Sequence, residues 1–107
     1  MASQINSVAR DILNLYRCDL GAYKIAVDDP LLSALKEECA LTDSEMESIQ
    51  NCASSCASMC ALIDYLNSRI TPRMFILFIG CVGSIMKMPD LQMSMLKEFS
   101  KDLASLI

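Results

Sequence analysis

The segment Leu41-Thr42-Asp43-Ser44-Glu45-Met46 decides the fold, because it carries a complete signal for the start of a helix. The Thr42 side chain can accept a hydrogen bond from the backbone amide three residues later, and the Glu45 carboxylate can accept one from the Thr42 amide. This capping box begins the third of six consecutive segments of helical length. The sequence therefore predicts a bundle of short helices.

The other segments carry similar signals. Asp29-Pro30 and Thr71-Pro72 each place a capping side chain before a proline at the first helical position, and Met88-Pro89-Asp90 begins the last segment. In the first segment, apolar residues recur close to the spacing of one helical stripe: Ile5, Val8, Ile12, Leu15, Tyr16 and Leu20. No segment shows sustained alternation of apolar and polar residues or a hairpin turn, so we expect an all-α fold without a sheet.

Length and composition predict one folded domain over residues 1–107, with only three glycines, three prolines and no flexible linker. The longest apolar run, residues 74–86, is shorter than the roughly 20 residues needed to cross a bilayer, so we interpret it as a buried helix. The N-terminal residues carry neither a signal peptide nor a myristoylation glycine. We therefore expect a cytoplasmic protein, with no anchoring to membranes.

The charge is unevenly distributed along the chain. Residues 28–47 hold seven acidic side chains against Lys36 alone, a charge of −6, whereas the whole chain carries −4 and the remainder therefore +2. Such separation favours encounter with a complementary protein surface, although a solvated acidic face is the ordinary alternative. The acidic total argues against nucleic acid as a partner.

The six cysteines and the absence of histidine bear on chemistry. Cys52, Cys56 and Cys60 follow one another at four-residue spacing on a predicted helix face, where they serve either as small packing residues or as metal ligands. Without histidine, the usual general base is missing, and no phosphate-binding glycine loop is present. We expect no enzyme activity, no metal or other cofactor and no small-molecule substrate.

Residues 29–49 resemble the second and third helices of caspase recruitment domains, in which a leucine-rich helix is followed by Leu-Thr and a short acidic helix ending in Ile. Residues 60–66, Cys-Ala-Leu-Ile-Asp-Tyr-Leu, look like the fourth helix of that family. Residues 75–78 and Asp90-Leu91 resemble its fifth helix and the start of its sixth. The resemblance covers about three quarters of the chain and implies the six-helix antiparallel bundle of the death-domain superfamily.

The resemblance also implies a function. Caspase recruitment domains bind one another in apoptotic and innate-immune signalling, as adaptors, receptor modules or decoys, commonly through an acidic surface on the second and third helices that meets a basic surface on the first and fourth. The implied acidic face is Asp28, Glu37, Glu38, Asp43, Glu45 and Glu47, and the implied basic face is Arg10, Arg17, Lys24 and Arg69. The expected partner is another domain of this type or a second copy of the chain.

Two features depart from that interpretation. No charged residue lies between Ser48 and Ile63, where family members usually carry several basic residues, so the basic face is weak and filament assembly is not implied. The fifth predicted helix is rich in Met and Phe, and the alternative hypothesis is a helical bundle that binds a partner helix or a membrane surface through it.

Overall fold

A computed structural model describes residues 2–26 and 29–106, and all regular structure in this part of the chain is α-helical. The all-α fold class is thus confirmed. The helices are α1 (Ala2–Leu15), α2 (Arg17–Leu20), α3 (Pro30–Glu37), α4 (Asp43–Gln50), α5 (Ser55–Ser68), α6 (Pro72–Ser84) and α7 (Pro89–Ala104). These are seven helical segments where six were predicted, because the first predicted helix is divided at Tyr16.

The predicted helix starts are confirmed. Thr42 Oγ1 accepts from the Glu45 amide at 3.2 Å, and Glu45 Oε1 accepts from the Thr42 amide at 2.9 Å, which completes the capping box of α4. Asp29 caps α3 through the Leu31 amide at 3.0 Å, and Thr71 caps α6 through the Met74 amide at 3.1 Å. Local side-chain chemistry therefore sets where these helices begin.

The division at Tyr16 changes the apolar stripe of the first predicted helix. In α1 the buried residues are Ala9, Ile12 and Leu13, whereas Leu15 is 63% exposed. Leu15 therefore does not share the buried stripe of α1, because a residue two positions after Leu13 points to nearly the opposite side of a helix. Leu20 is fully buried, but it belongs to α2.

The chain forms two compact units, and the first combines the N-terminal segment up to Tyr16 with the segment from Ile70 onward. Helices α1, α6 and α7 pack pairwise in this unit. The rings of Phe75 and Phe99 have centroids 4.6 Å apart, a favourable tilted contact across α6 and α7. The core of this unit draws on both helices, and includes Phe75, Phe78, Ile79, Val82, Met95 and Phe99.

The second unit runs from Arg17 to Arg69 and holds the acidic segment. Helices α4 and α2 both pack on α5. The Ser58 hydroxyl donates to the Ile49 carbonyl at 3.1 Å, which ties the end of α4 to α5. The core of this unit is aliphatic apart from one methionine, and includes Leu31, Leu32, Leu35, Ile49, Met59, Leu62, Ile63 and Leu66.

Candidate protein-binding surface

The acidic side chains of α3 and α4 are the first component of the predicted site. Glu37, at the end of α3, and Glu47, on α4, are both exposed, and neither shows a side-chain hydrogen bond or ion pair among the described residues. Glu38, the residue after α3, is exposed as well. Asp43, also exposed, forms an ion pair with Lys36, which lies on α3. Asp28 lies outside the described residues.

Glu45 has a different role from its acidic neighbours. Its side chain is only 16% exposed, and its two carboxylate oxygens accept from the Arg69 guanidinium at 2.5 and 2.6 Å. The hydrogen bond from Arg69 is the main reason that the pKa of Glu45 falls to about 2, with the Thr42 amide adding to it against the opposing effect of burial. Because both oxygens are engaged inside the unit, Glu45 serves first to hold the fold.

Arg69 binds Glu45 and connects several elements of the second unit. It is the residue that ends α5, and its Nη1 donates to the Ala40 carbonyl at 2.7 Å in addition to binding Glu45. The bidentate contact fits the planar guanidinium, which matches a carboxylate better than a lysine would. The structure thus brings together two residues that the resemblance assigned to opposite faces.

The other predicted basic residues are spread over the chain. Arg10 is half-buried on α1, and Lys24 is exposed in the segment between α2 and α3. Arg17, on α2, pairs with Asp64 on α5 at 2.9 Å. Desolvation is the largest single effect on the guanidinium and lowers its pKa, but the hydrogen bonds and charges of Asp64 and Cys60 together outweigh it, so that the pKa of Arg17 is raised. Arg17 and Arg69 are therefore both engaged with carboxylates of their own chain.

One acidic residue of the run is fully internal. Asp29 is 2% exposed, and its carboxylate accepts from the Tyr23 hydroxyl at 2.7 and 3.0 Å and from the amides of Ala26 and Leu31 at 3.0 Å. Burial, followed by the contact with Asp29, raises the pKa of Tyr23 to about 12. Sequence reasoning assigned Asp29 only as a cap. The tyrosine six residues before the Asp-Pro pair was the available signal for the hydrogen bond that buries this carboxylate.

The cysteine series does not occupy one helix face as predicted. Helix α5 begins at Ser55, so Cys52 precedes the helix, and its thiol donates to the Ser48 carbonyl at 3.3 Å. Cys56 and Cys60 do lie on α5 and are at least partly accessible. Among residues 2–26 and 29–106, no three Cys, Asp or Glu side chains converge as a metal site requires. All six thiols are free.

Helix α6, on which the alternative hypothesis rests, turns its aromatic residues inward. Phe75 and Phe78 are fully buried, and Ile76 is the large apolar residue that α6 exposes most. Within the described ranges, no helix combines the length and the apolar character required to cross a bilayer. Met93 on α7 is 52% exposed.

Comparison with known proteins assigns no family. No family model, no curated protein and no solved structure matches the chain. Any function must therefore be inferred from the chain's own residues. Acidic side chains on α3 and α4 are exposed, whereas Glu45 and Asp29 are held by hydrogen bonds inside the fold.

Proposed function

We propose that the chain is a protein-interaction module of the caspase recruitment type, a cytoplasmic domain with the six-helix death fold that recruits a second such domain or another copy of itself. It acts as an adaptor, receptor module or decoy in apoptotic or innate-immune signalling and catalyses no reaction. The single observation that carries the proposal is the exposure of acidic side chains on α3 and α4, the helices that correspond to the second and third of that family.

The order of helices supports the proposed fold. Residues 29–49 take in α3 and nearly all of α4, residues 60–66 lie in α5, residues 75–78 lie in α6, and Asp90-Leu91 lies at the start of α7. Helices α1 and α2 together occupy the place of the first, with the interruption at Tyr16. On this proposal α1 and α2 both come from the stretch of sequence that forms the first helix in that family.

The docking surface is narrower than the sequence alone implied. Glu45 is bound by Arg69 inside the fold, and the exposed Asp43 is paired with Lys36. On α3 and α4, Glu37 and Glu47 are therefore the carboxylates that are exposed without a pairing among the described residues. A solvated carboxylate of this kind steers a basic partner surface and sets specificity, while an internally paired one contributes mainly to stability. We assign recognition to Glu37 and Glu47, with Glu38 beside them.

A salt titration of binding tests the proposal. The full chain is measured for self-association and for binding to a panel of purified caspase recruitment domains with basic surfaces, at low and at physiological ionic strength. We expect at least one specific complex that weakens as salt rises, because the contact is between exposed charges. A chain that stays monomeric and binds no member of the panel at low salt contradicts the proposal.

A further inference from the structure

Three thiols meet where α2 packs on α5. Cys18 lies on α2, and Cys56 and Cys60 lie on α5. Cys56 and Cys60 share a hydrogen bond, and the Arg17 guanidinium hydrogen-bonds Cys60 while it pairs with Asp64. A Cβ atom built on Gly21 would lie 3.5 Å from Cys56 Sγ, so this sulfur rests against the end of α2. This thiol cluster, Cys18, Cys56 and Cys60, therefore includes residues of both helices.

Geometry distinguishes the two disulfides that the cluster might form. Residues four apart on one helix have Cβ atoms about 5–6 Å apart, whereas a disulfide needs about 3.5–4.5 Å, so joining Cys56 to Cys60 would require unwinding of α5. Cys18 has no such restriction, since it lies on a separate helix. It also precedes Gly21 by three residues, which puts both on the side of the chain that Cys56 touches.

Both Cys18 and Cys56 are accessible for oxidation. Cys18 and Cys56 are both exposed, so an oxidant in solution reaches them. The pKa of the Cys56 thiol is raised, with the Coulombic interaction with Cys60 as the largest cause. The same disulfide results whichever of the two thiols is oxidised first.

We propose that Cys18 and Cys56 form an oxidation site, at which hydrogen peroxide joins the two thiols as a disulfide between α2 and α5. The Cys18 thiolate attacks one peroxide oxygen, the O–O bond breaks, and hydroxide leaves and is protonated to water, which yields a sulfenic acid. Cys56 sulfur, losing its proton, then attacks the sulfenic sulfur and displaces the second water. Two thiols are oxidised by two electrons in total, and one peroxide is reduced to two waters.

The disulfide would fix α2 on α5. Helix α2 is a single turn of four residues, and the segment of residues 21–29 that follows it contains no regular structure among its described residues. Such short elements are held by tertiary contacts rather than by their own helical stability. The cross-link closes a long loop, so oxidation stabilises the second unit against unfolding. The inference does not depend on the proposed partner binding.

Peptide mapping of the oxidised full chain tests the proposal. The reduced protein, at a concentration too low for intermolecular contact, is treated with one equivalent of hydrogen peroxide, blocked with a thiol reagent and cleaved. Cleavage after Lys24 and after Met59 places Cys18, Cys56 and Cys60 in different fragments. We expect a Cys18–Cys56 link in most oxidised molecules, and a melting temperature about 10 °C higher that reverts with dithiothreitol.

Single cysteine variants serve as matched controls. We expect Cys18→Ser and Cys56→Ser each to abolish the link, and Cys60→Ser and Cys39→Ser to keep it. Oxidation in concentrated urea should give a mixture of pairings, because only the fold selects Cys56 for Cys18. A dominant Cys56–Cys60 link, links between molecules only, or an equal yield of the Cys18–Cys56 link in urea would overturn the proposal.

Discussion

The guanidinium of Arg69 contacts both carboxylate oxygens of Glu45, with Nη1 2.5 Å from Oε1 and Nη2 2.6 Å from Oε2. The same carboxylate closes the capping box of α4, and the same guanidinium binds the Ala40 carbonyl. One ion pair therefore joins the start of α4, the end of α5 and the turn after α3. This pair separates Glu45, which holds the fold, from the exposed carboxylates that we propose as the docking surface.

The first prediction concerns the charge of Glu45. The substitution Glu45→Gln keeps an acceptor for the Thr42 amide but removes the charge that Arg69 binds, so we expect the free energy of unfolding at pH 7 to fall by about 1–2 kcal/mol. Chemical denaturation measures the change. Glu47→Gln is the matched control, because its exposed side chain should leave stability within about 0.5 kcal/mol of the wild type.

The pH dependence of stability gives a second prediction. The pKa of Glu45 in the folded protein is about 2, below its ordinary value of 4.5, so the unfolded state binds more protons than the folded state between these values. The contribution of Glu45 is fully present above about pH 5 and is lost as pH falls toward 2. Urea unfolding midpoints should decline more steeply over this range in wild type than in Glu45→Gln. Parallel curves would contradict the assignment.

Tyr23 provides the alkaline counterpart. Its pKa is raised to about 12, so its stabilising contribution is present below the ordinary value of 10 and is lost as pH rises from 10 toward 12. We expect Tyr23→Phe to destabilise the protein by about 1–3 kcal/mol at pH 7, because the buried Asp29 carboxylate loses its hydroxyl donor. The variant should also lose less further stability above pH 10.

Tyr65→Phe is the control for this measurement. Tyr65 is half-buried on α5, and its hydroxyl has no hydrogen bond in the part of the chain that the structure describes. Thermal unfolding at pH 7 should therefore separate the two phenylalanine variants. Equal stability of both would mean that the contact between Tyr23 and Asp29 contributes nothing.

Two glycines of α6 make a matched pair for the packing of α7. A Cβ atom built on Gly80 meets nothing within 4 Å, while one on Gly83 would lie 2.3 Å from Gln92 Oε1. Gly80→Ala should stabilise the protein by about 0.5–1 kcal/mol through helix propensity alone. Gly83→Ala should be less stable than Gly80→Ala by about 1 kcal/mol or more, because it displaces the Gln92 amide from the Ile79 carbonyl.

The double variant Gly83→Ala/Gln92→Ala checks that explanation. With the Gln92 amide removed, the added methyl group no longer has a side chain to displace. Gly83→Ala should therefore lower the free energy of unfolding less in the Gln92→Ala protein than in the wild type. Denaturation of the four proteins in this cycle measures the coupling. Additive effects would show that Gly83 and Gln92 do not interact.

The sequence predicted those features that are set by neighbouring residues. The caps at Asp29, Thr42 and Thr71 involve side chains and amides at most three positions apart, so spacing alone was sufficient. The ends of α3 and α6 were less predictable. Cys39 and Lys87 follow these helices with φ of 60° and 57°, a left-handed conformation that sequence reasoning expects of glycine.

The site was harder to predict than the fold, because its distinctions are tertiary. Nothing in the spacing of Glu45 and Arg69, 24 residues apart, indicates that they pair, and without that pair both were assigned to docking faces. Asp29 could be named as a cap, but its burial depends on Tyr23 folding back onto it. The acidic character of residues 28–47 could be read from the sequence, but the structure leaves fewer of their carboxylates exposed.

The most direct test compares the effects of two double charge reversals on the affinity for a partner. Glu37→Lys/Glu47→Lys alters the proposed surface, and Asp90→Lys/Asp102→Lys makes the same charge change at the two ends of α7. At low salt, we predict that the first double variant weakens self-association or partner binding by roughly tenfold or more, with helical content unchanged, and that the second leaves affinity within about twofold. Equal affinity of both double variants would contradict recognition through the exposed carboxylates of α3 and α4.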